Sequence, residues 1–127
     1  MSVETNIKEV IFTNSILMSI KQLSGITKEY EHFDEELIAY INSVFFTLRQ
    51  LGVGPASGFV ITDASSTWDE FISEDPVLCE ATKSYMKSKV KLQFDPPTSS
   101  AHLESLNKII NEFEWRLNVD VETTEQE

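Results

Sequence analysis

The sequence predicts a small, mainly all-α domain of four helices, on three observations. Apolar residues recur at helical spacing in successive segments. Helix punctuation stands at their edges, with Ser15, Asp75 and Pro76 where helices begin and Gly25 and Gly52 where they stop. Only four glycines and four prolines leave little room for the many turns of a sandwich or barrel. A chain of 127 residues with 41% hydrophobic content is sized for one domain that buries roughly two thirds of its unfolded surface without metal or disulfide staples.

The elements follow in order. Residues 1–13 read as an N-terminal arm, in which Val10, Ile11, Phe12 and Thr13 fit either a short strand or the lead-in to a helix. The helical domain then spans residues 14–119. Asn14 or Ser15 caps a first helix carrying Ile16, Leu17, Ile20 and Leu23, and Gly25 stops it. Asp34, Glu35 and Glu36 open the second, where acids complement the helix dipole. Its buried stripe is Leu37, Ile41, Val44, Leu48 and Leu51, widened by Ile38 and Phe45. Residues 52–66 form a loop in which Phe59, Val60, Ile61 and Thr62 have strand character, placed to pair with residues 10–13 as a short β-ribbon. Ser66 or Thr67 caps a short turn holding Trp68 and Phe71. Asp75 followed by Pro76 starts the third long segment, which runs to about Phe94. The consecutive prolines Pro96 and Pro97 cannot continue a helix, so Phe94, Asp95, Pro96 and Pro97 form a structural joint. The fourth helix begins near Ser99 or Ser100 and ends near Asn118, burying Leu103, Leu106, Ile109, Ile110, Phe113 and Leu117. Residues 120–127 contain four acids and no base, and read as a frayed acidic tail.

Charge and composition narrow the function. With 21 acids against 10 bases the net charge is −11, which opposes general binding to nucleic acid. Cys79 is the only cysteine, so no intrachain disulfide forms. The longest uncharged apolar-rich run, residues 37–48, is far short of the ~20 residues that span a bilayer. No basic stretch followed by an apolar run opens the chain, so no signal peptide is expected.

Catalytic and cofactor chemistry finds little support. The glycine loop Gly52-Val53-Gly54-Pro55-Ala56-Ser57-Gly58 follows a helix and lacks the lysine of a phosphate loop. It reads as a helix stop and turn. His32 and His102 have no metal-ligand spacing. A Cys79–His102 dyad lacks an orienting group, and the paired acids Asp34-Glu35-Glu36 and Asp69-Glu70 open helices, where acids belong anyway. No cofactor, no metal and no enzymatic activity are expected.

The outward faces are more informative. Lys83, Lys87 and Lys91 recur every four residues as one stripe, either a solvated face, a docking strip for an acidic neighbour or a local contact with DNA phosphates. Lys89 falls among apolar neighbours and must snorkel or meet a carboxylate. Phe46 opposes the buried stripe of its helix, alongside Ala39, Ser43 and Gln50, and that helix has no charge between Glu36 and Arg49. Trp115 likewise opposes the buried face of the fourth helix. Aromatics on uncharged outer faces point to protein–protein contact.

Four segments taken together carry a resemblance: Ile41-Asn42-Ser43-Val44-Phe45, Leu51-Gly52-Val53-Gly54-Pro55, Phe94-Asp95-Pro96-Pro97-Thr98-Ser99-Ser100 and Glu114-Trp115-Arg116-Leu117-Asn118. In order and spacing, over roughly residues 14–119, the chain resembles the head–tail connector (adaptor, DNA-packaging) proteins of long-tailed bacteriophages. The resemblance implies a helical subunit of a homo-oligomeric ring beneath the portal protein, which receives a downstream neck or tail-completion protein and lets double-stranded DNA pass without sequence-specific binding. It implies a virion protein assembled in the host cytoplasm, with no membrane partner. On that reading the acids line the channel and the chain ends order on docking. The competing readings are a small helical adaptor that binds one protein as a monomer or dimer, and an acidic DNA mimic.

Overall fold

The computed structural model describes residues 14–126. Among the described residues five helices follow one another: α1 (Ile16–Leu23), α2 (Asp34–Gln50), α3 (Trp68–Phe71), α4 (Pro76–Phe94) and α5 (Ser100–Gln126). Several begin where the sequence provides for the orphan N–H groups of a first turn. Ser15 accepts from the Met18 N–H, Asp75 accepts from the Leu78 N–H, and Thr67 forms a reciprocal capping box with Glu70. The turn anticipated around Trp68 and Phe71 is thus a single-turn helix, so the architecture is four substantial helices plus that turn.

α4 is the central element. It packs against both α2 and α5, and α1 contacts both α2 and α4. Ile16, Ile20, Leu37, Ile41, Leu48, Tyr85, Met86 and Val90 are completely buried between them. An aromatic cluster closes one end: the Phe45 ring lies 4.7 Å from Phe71 and 5.1 Å from Phe59, in tilted and edge-on arrangements. Trp68 is buried against the same cluster and donates its indole N–H to Ser19 Oγ at 2.8 Å.

Three expectations are corrected. No strand is present among the described residues, whose nearest approach to one is an isolated antiparallel bridge between Ser15 and Thr67. The strand-like residues 59–62 stay single because Asn42 takes the place of a partner strand. Its side-chain oxygen accepts the Ile61 N–H at 2.8 Å and its NH₂ donates to the Ile61 carbonyl at 3.0 Å. The other half of the expected ribbon, residues 10–13, lies outside the described residues. Second, the last helix does not stop near Asn118 but continues to Gln126. Val121 is half-buried and packs on Gly52 so closely that a side chain there would bring its Cβ to 2.8 Å from Val121 Cγ1. Third, Ile109 is exposed rather than buried. α5 has one large neighbour, α4, so only a narrow stripe centred on Leu106, Ile110 and Leu117 is covered.

Candidate assembly surfaces

The residues that carry no chemistry in the sequence occupy structural positions. Gly52, Gly54 and Gly58 adopt φ of +85°, +89° and +92°, turning the chain out of α2 so that Val53 is buried and its N–H reaches the Leu48 carbonyl at 2.8 Å. Cys79 is buried, and burial pushes its thiol above the ordinary range, against thiolate formation. His102 is exposed at the start of α5. Among the described residues no group of three or more His, Cys, Asp or Glu side chains is arranged to hold a metal ion.

The lysines of α4 divide. Lys83 ion-pairs with Glu80 at 3.0 Å and sits 5.7 Å from the centroid of the Trp68 ring. Lys91 reaches Asp95 at 3.7 Å and donates to its carbonyl at 3.4 Å, fastening the helix end to the joint. Lys87 is exposed. Lys89 meets a carboxylate, with its Nζ 3.8 Å from Glu114 Oε1. The same oxygen accepts the Tyr85 hydroxyl at 2.8 Å. Burial, then the Glu114 hydrogen bond, push the Tyr85 hydroxyl far above its ordinary range, so it remains a donor. Glu114 therefore ties α5 to α4 through two side chains. The sequence shows Glu114 only as part of a motif and gives no sign of this role.

A second polar tie has no local signal in the sequence. Lys21 lies in the last turn of α1 and is completely buried. Its ammonium donates to the carbonyls of Tyr30 at 2.7 Å and Lys28 at 3.1 Å, and lies 2.9 Å from Asp34 Oδ1. That oxygen is enclosed and has no well-aligned hydrogen bond, so the approach is an ion contact. The pair fastens the connection between α1 and α2 while complementing both helix dipoles, a cation at one C-terminus and an anion at the next N-terminus.

The joint holds its predicted position. α4 ends at Phe94, Asp95 caps it, and α5 starts at Ser100. The Phe94 ring packs edge-on against Phe33 at 5.1 Å, so the joint is anchored to the entrance of α2.

Two outward surfaces remain. On α2, Phe46 is 61% exposed, and Ala39, Ser43 and Gln50 beside it are also exposed. Phe46 forms one wall of a groove of about 240 Å³ completed by Arg49, Gly58, Phe59 and Val60. Val60 is 68% exposed, a contribution hidden in the sequence because a loop residue has no helical face to be read from. On α5, Trp115 is 67% exposed, and Val119, one turn further on, is also exposed.

The family described as Phage connector protein matches residues 16–124, nearly the whole of this five-helix domain and its two outward faces. The chain belongs to the phage connector protein family. It is a head–tail connector protein of a bacteriophage virion, and its family partners are other head and tail proteins. The match extends beyond Asn118, in agreement with the continuous α5. No curated protein matches the connector chain, and no solved structure does. No helix among the described residues is long and apolar enough to cross a membrane.

Proposed function

We propose that this connector chain forms a homo-oligomeric ring beneath the portal of the filled head, receives the next neck or tail component, and lets duplex DNA pass through its centre. It acts by binding alone, without catalysis or cofactor. The observation that carries the reading is the pair of exposed aromatics, Phe46 and Trp115, on ordered helices of a family built to join head to tail. A ring subunit needs two such faces, because each copy has two neighbours.

The net charge of −11 fits the conduit. A channel lined by carboxylates repels phosphates and lets the duplex slide, with a strength that falls as salt rises. On this reading the acids, not Lys83, Lys87 and Lys91, face the lumen. A ring whose lumen is lined by those lysines refutes it.

The deciding measurement is native mass, taken on the connector alone and mixed with portal protein. The expected result is a defined multiple of the subunit mass, either free or on the portal. A stable monomer that does not bind portal protein refutes the reading in favour of a small monomeric adaptor.

A further inference from the structure

We propose that Trp115 of one copy seats in the groove beside Phe46 of the next, so that copies meet head to tail through two unlike faces. This rests on the ring reading and deepens it by naming the contact.

Three observations support the pairing. The first is shape and chemistry. The groove has a volume of about 240 Å³, is open at the surface, and is lined on its apolar side by Phe45, Phe46, Phe59 and Val60. Trp115 is such a side chain, standing well out from α5. A rigid aromatic entering an apolar pocket is the usual centre of a tight contact.

The second is charge. Arg49 stands at the groove, exposed, with no carboxylate partner among the described residues, and no acid lines that groove. The face of α5 around Trp115 is mixed toward its N-terminal side, where Lys108 stands two turns away, and acidic toward its C-terminal side. Glu112 and Glu122 lie one and two turns from Trp115 on the same side, and no base occurs from Leu117 onward. Glu112 is already held by Arg116 at 2.6 Å. Glu122 is exposed and placed to meet the guanidinium of a neighbour. The lysine stripe of α4 is a weaker candidate, since Lys83 and Lys91 are engaged within the subunit.

The third is placement. α4 packs against both α2 and α5, and Trp115 is not among the residues that line the groove, so the indole does not fill it within one copy. Two complementary but unlike faces give a heterologous contact. Repeated with a rotation that closes, such a contact makes a ring, and without closure it makes a filament.

A mixing experiment tests this. Phe46→Asp destroys the groove and leaves the indole, while Trp115→Asp does the reverse. Both sites are exposed, so each variant is expected to keep the wild-type helical circular dichroism. Each should self-associate at least ~30-fold more weakly than wild type, the cost of losing one central aromatic. The mixture should form a one-to-one heterodimer and nothing larger, because one intact pair remains. ¹⁵N-labelled Trp115→Asp titrated with unlabelled Phe46→Asp should shift resonances of residues 57–60 and Arg49. A mixture that forms no heterodimer, or either single variant assembling like wild type, overturns the pairing. A wild-type chain that stays monomeric even at NMR concentration overturns it too, and the ring reading is then decided separately by the number of copies on the portal.

Discussion

Lys21→Met removes the buried ammonium while keeping most of the aliphatic stem. In the folded chain that ammonium satisfies two backbone carbonyls, of Tyr30 and Lys28, and the carboxylate of Asp34. Breaking a buried ion pair from one side typically costs about 3–5 kcal/mol. The lower end applies here, because the Asp34 side chain is 22% exposed and water reaches part of it once the cation is gone. The two carbonyls are only partly buried, which moderates their contribution in the same way. The expected loss is about 3 kcal/mol, or roughly 10 °C in Tm for a chain of this size. The assay is urea unfolding followed by far-UV circular dichroism, with m compared between variants. Asp34→Asn, which leaves a completely buried ammonium with its two carbonyls but no counter-charge, should destabilise by a comparable amount. A loss below about 1 kcal/mol for Lys21→Met would show that the ammonium does not hold the α1–α2 connection, and the reasoning would fail.

Three further outcomes are expected. Gly54→Ala should destabilise by about 2–4 kcal/mol, because φ is +89° and the new Cβ would lie 2.3 Å from the Phe71 ring, inside the aromatic cluster; thermal unfolding indistinguishable from wild type would refute it. Asp75→Ala should cost about 1 kcal/mol through the lost cap on α4, read in the same urea titration. The folded-state pKa of Tyr85 is raised, so its contribution is complete below the unfolded value near 10 and is lost as pH rises above it. Wild type should therefore lose stability more steeply than Tyr85→Phe above about pH 10, and parallel pH profiles would contradict the buried hydroxyl.

Local rules make most of the fold legible. Ser15, Asp75 and Pro76 mark helix starts by a mechanism that needs only neighbouring residues, and the structure uses all three as expected. What stays hidden depends on distant partners. Residues 59–62 look like a strand until Asn42 arrives from α2 to satisfy Ile61. Lys21 looks like a surface residue because nothing local reveals that residues 28–30 fold back over it. Sequence reasoning ends α5 too early because a terminal run of four acids without a base reads as a frayed tail. Packing of Val121 on the α2 exit is invisible to that argument. The outward positions of Phe46 and Trp115 follow from helical periodicity alone. The groove beside Phe46 does not, since half of it comes from a loop.

α5 has 27 residues, about 40 Å of helix, against 19 residues and about 28 Å for α4. It is fixed at the proline joint, at Glu114 and at Val121. Mechanically it is a beam bedded on α4 through Leu106, Ile110 and Leu117 and pinned at those three points, and Trp115 stands directly beside the middle pin. A pull or push applied through the indole passes into α4 by way of Tyr85 and Lys89. The subunit is thereby stiff where a neighbour would bear on it.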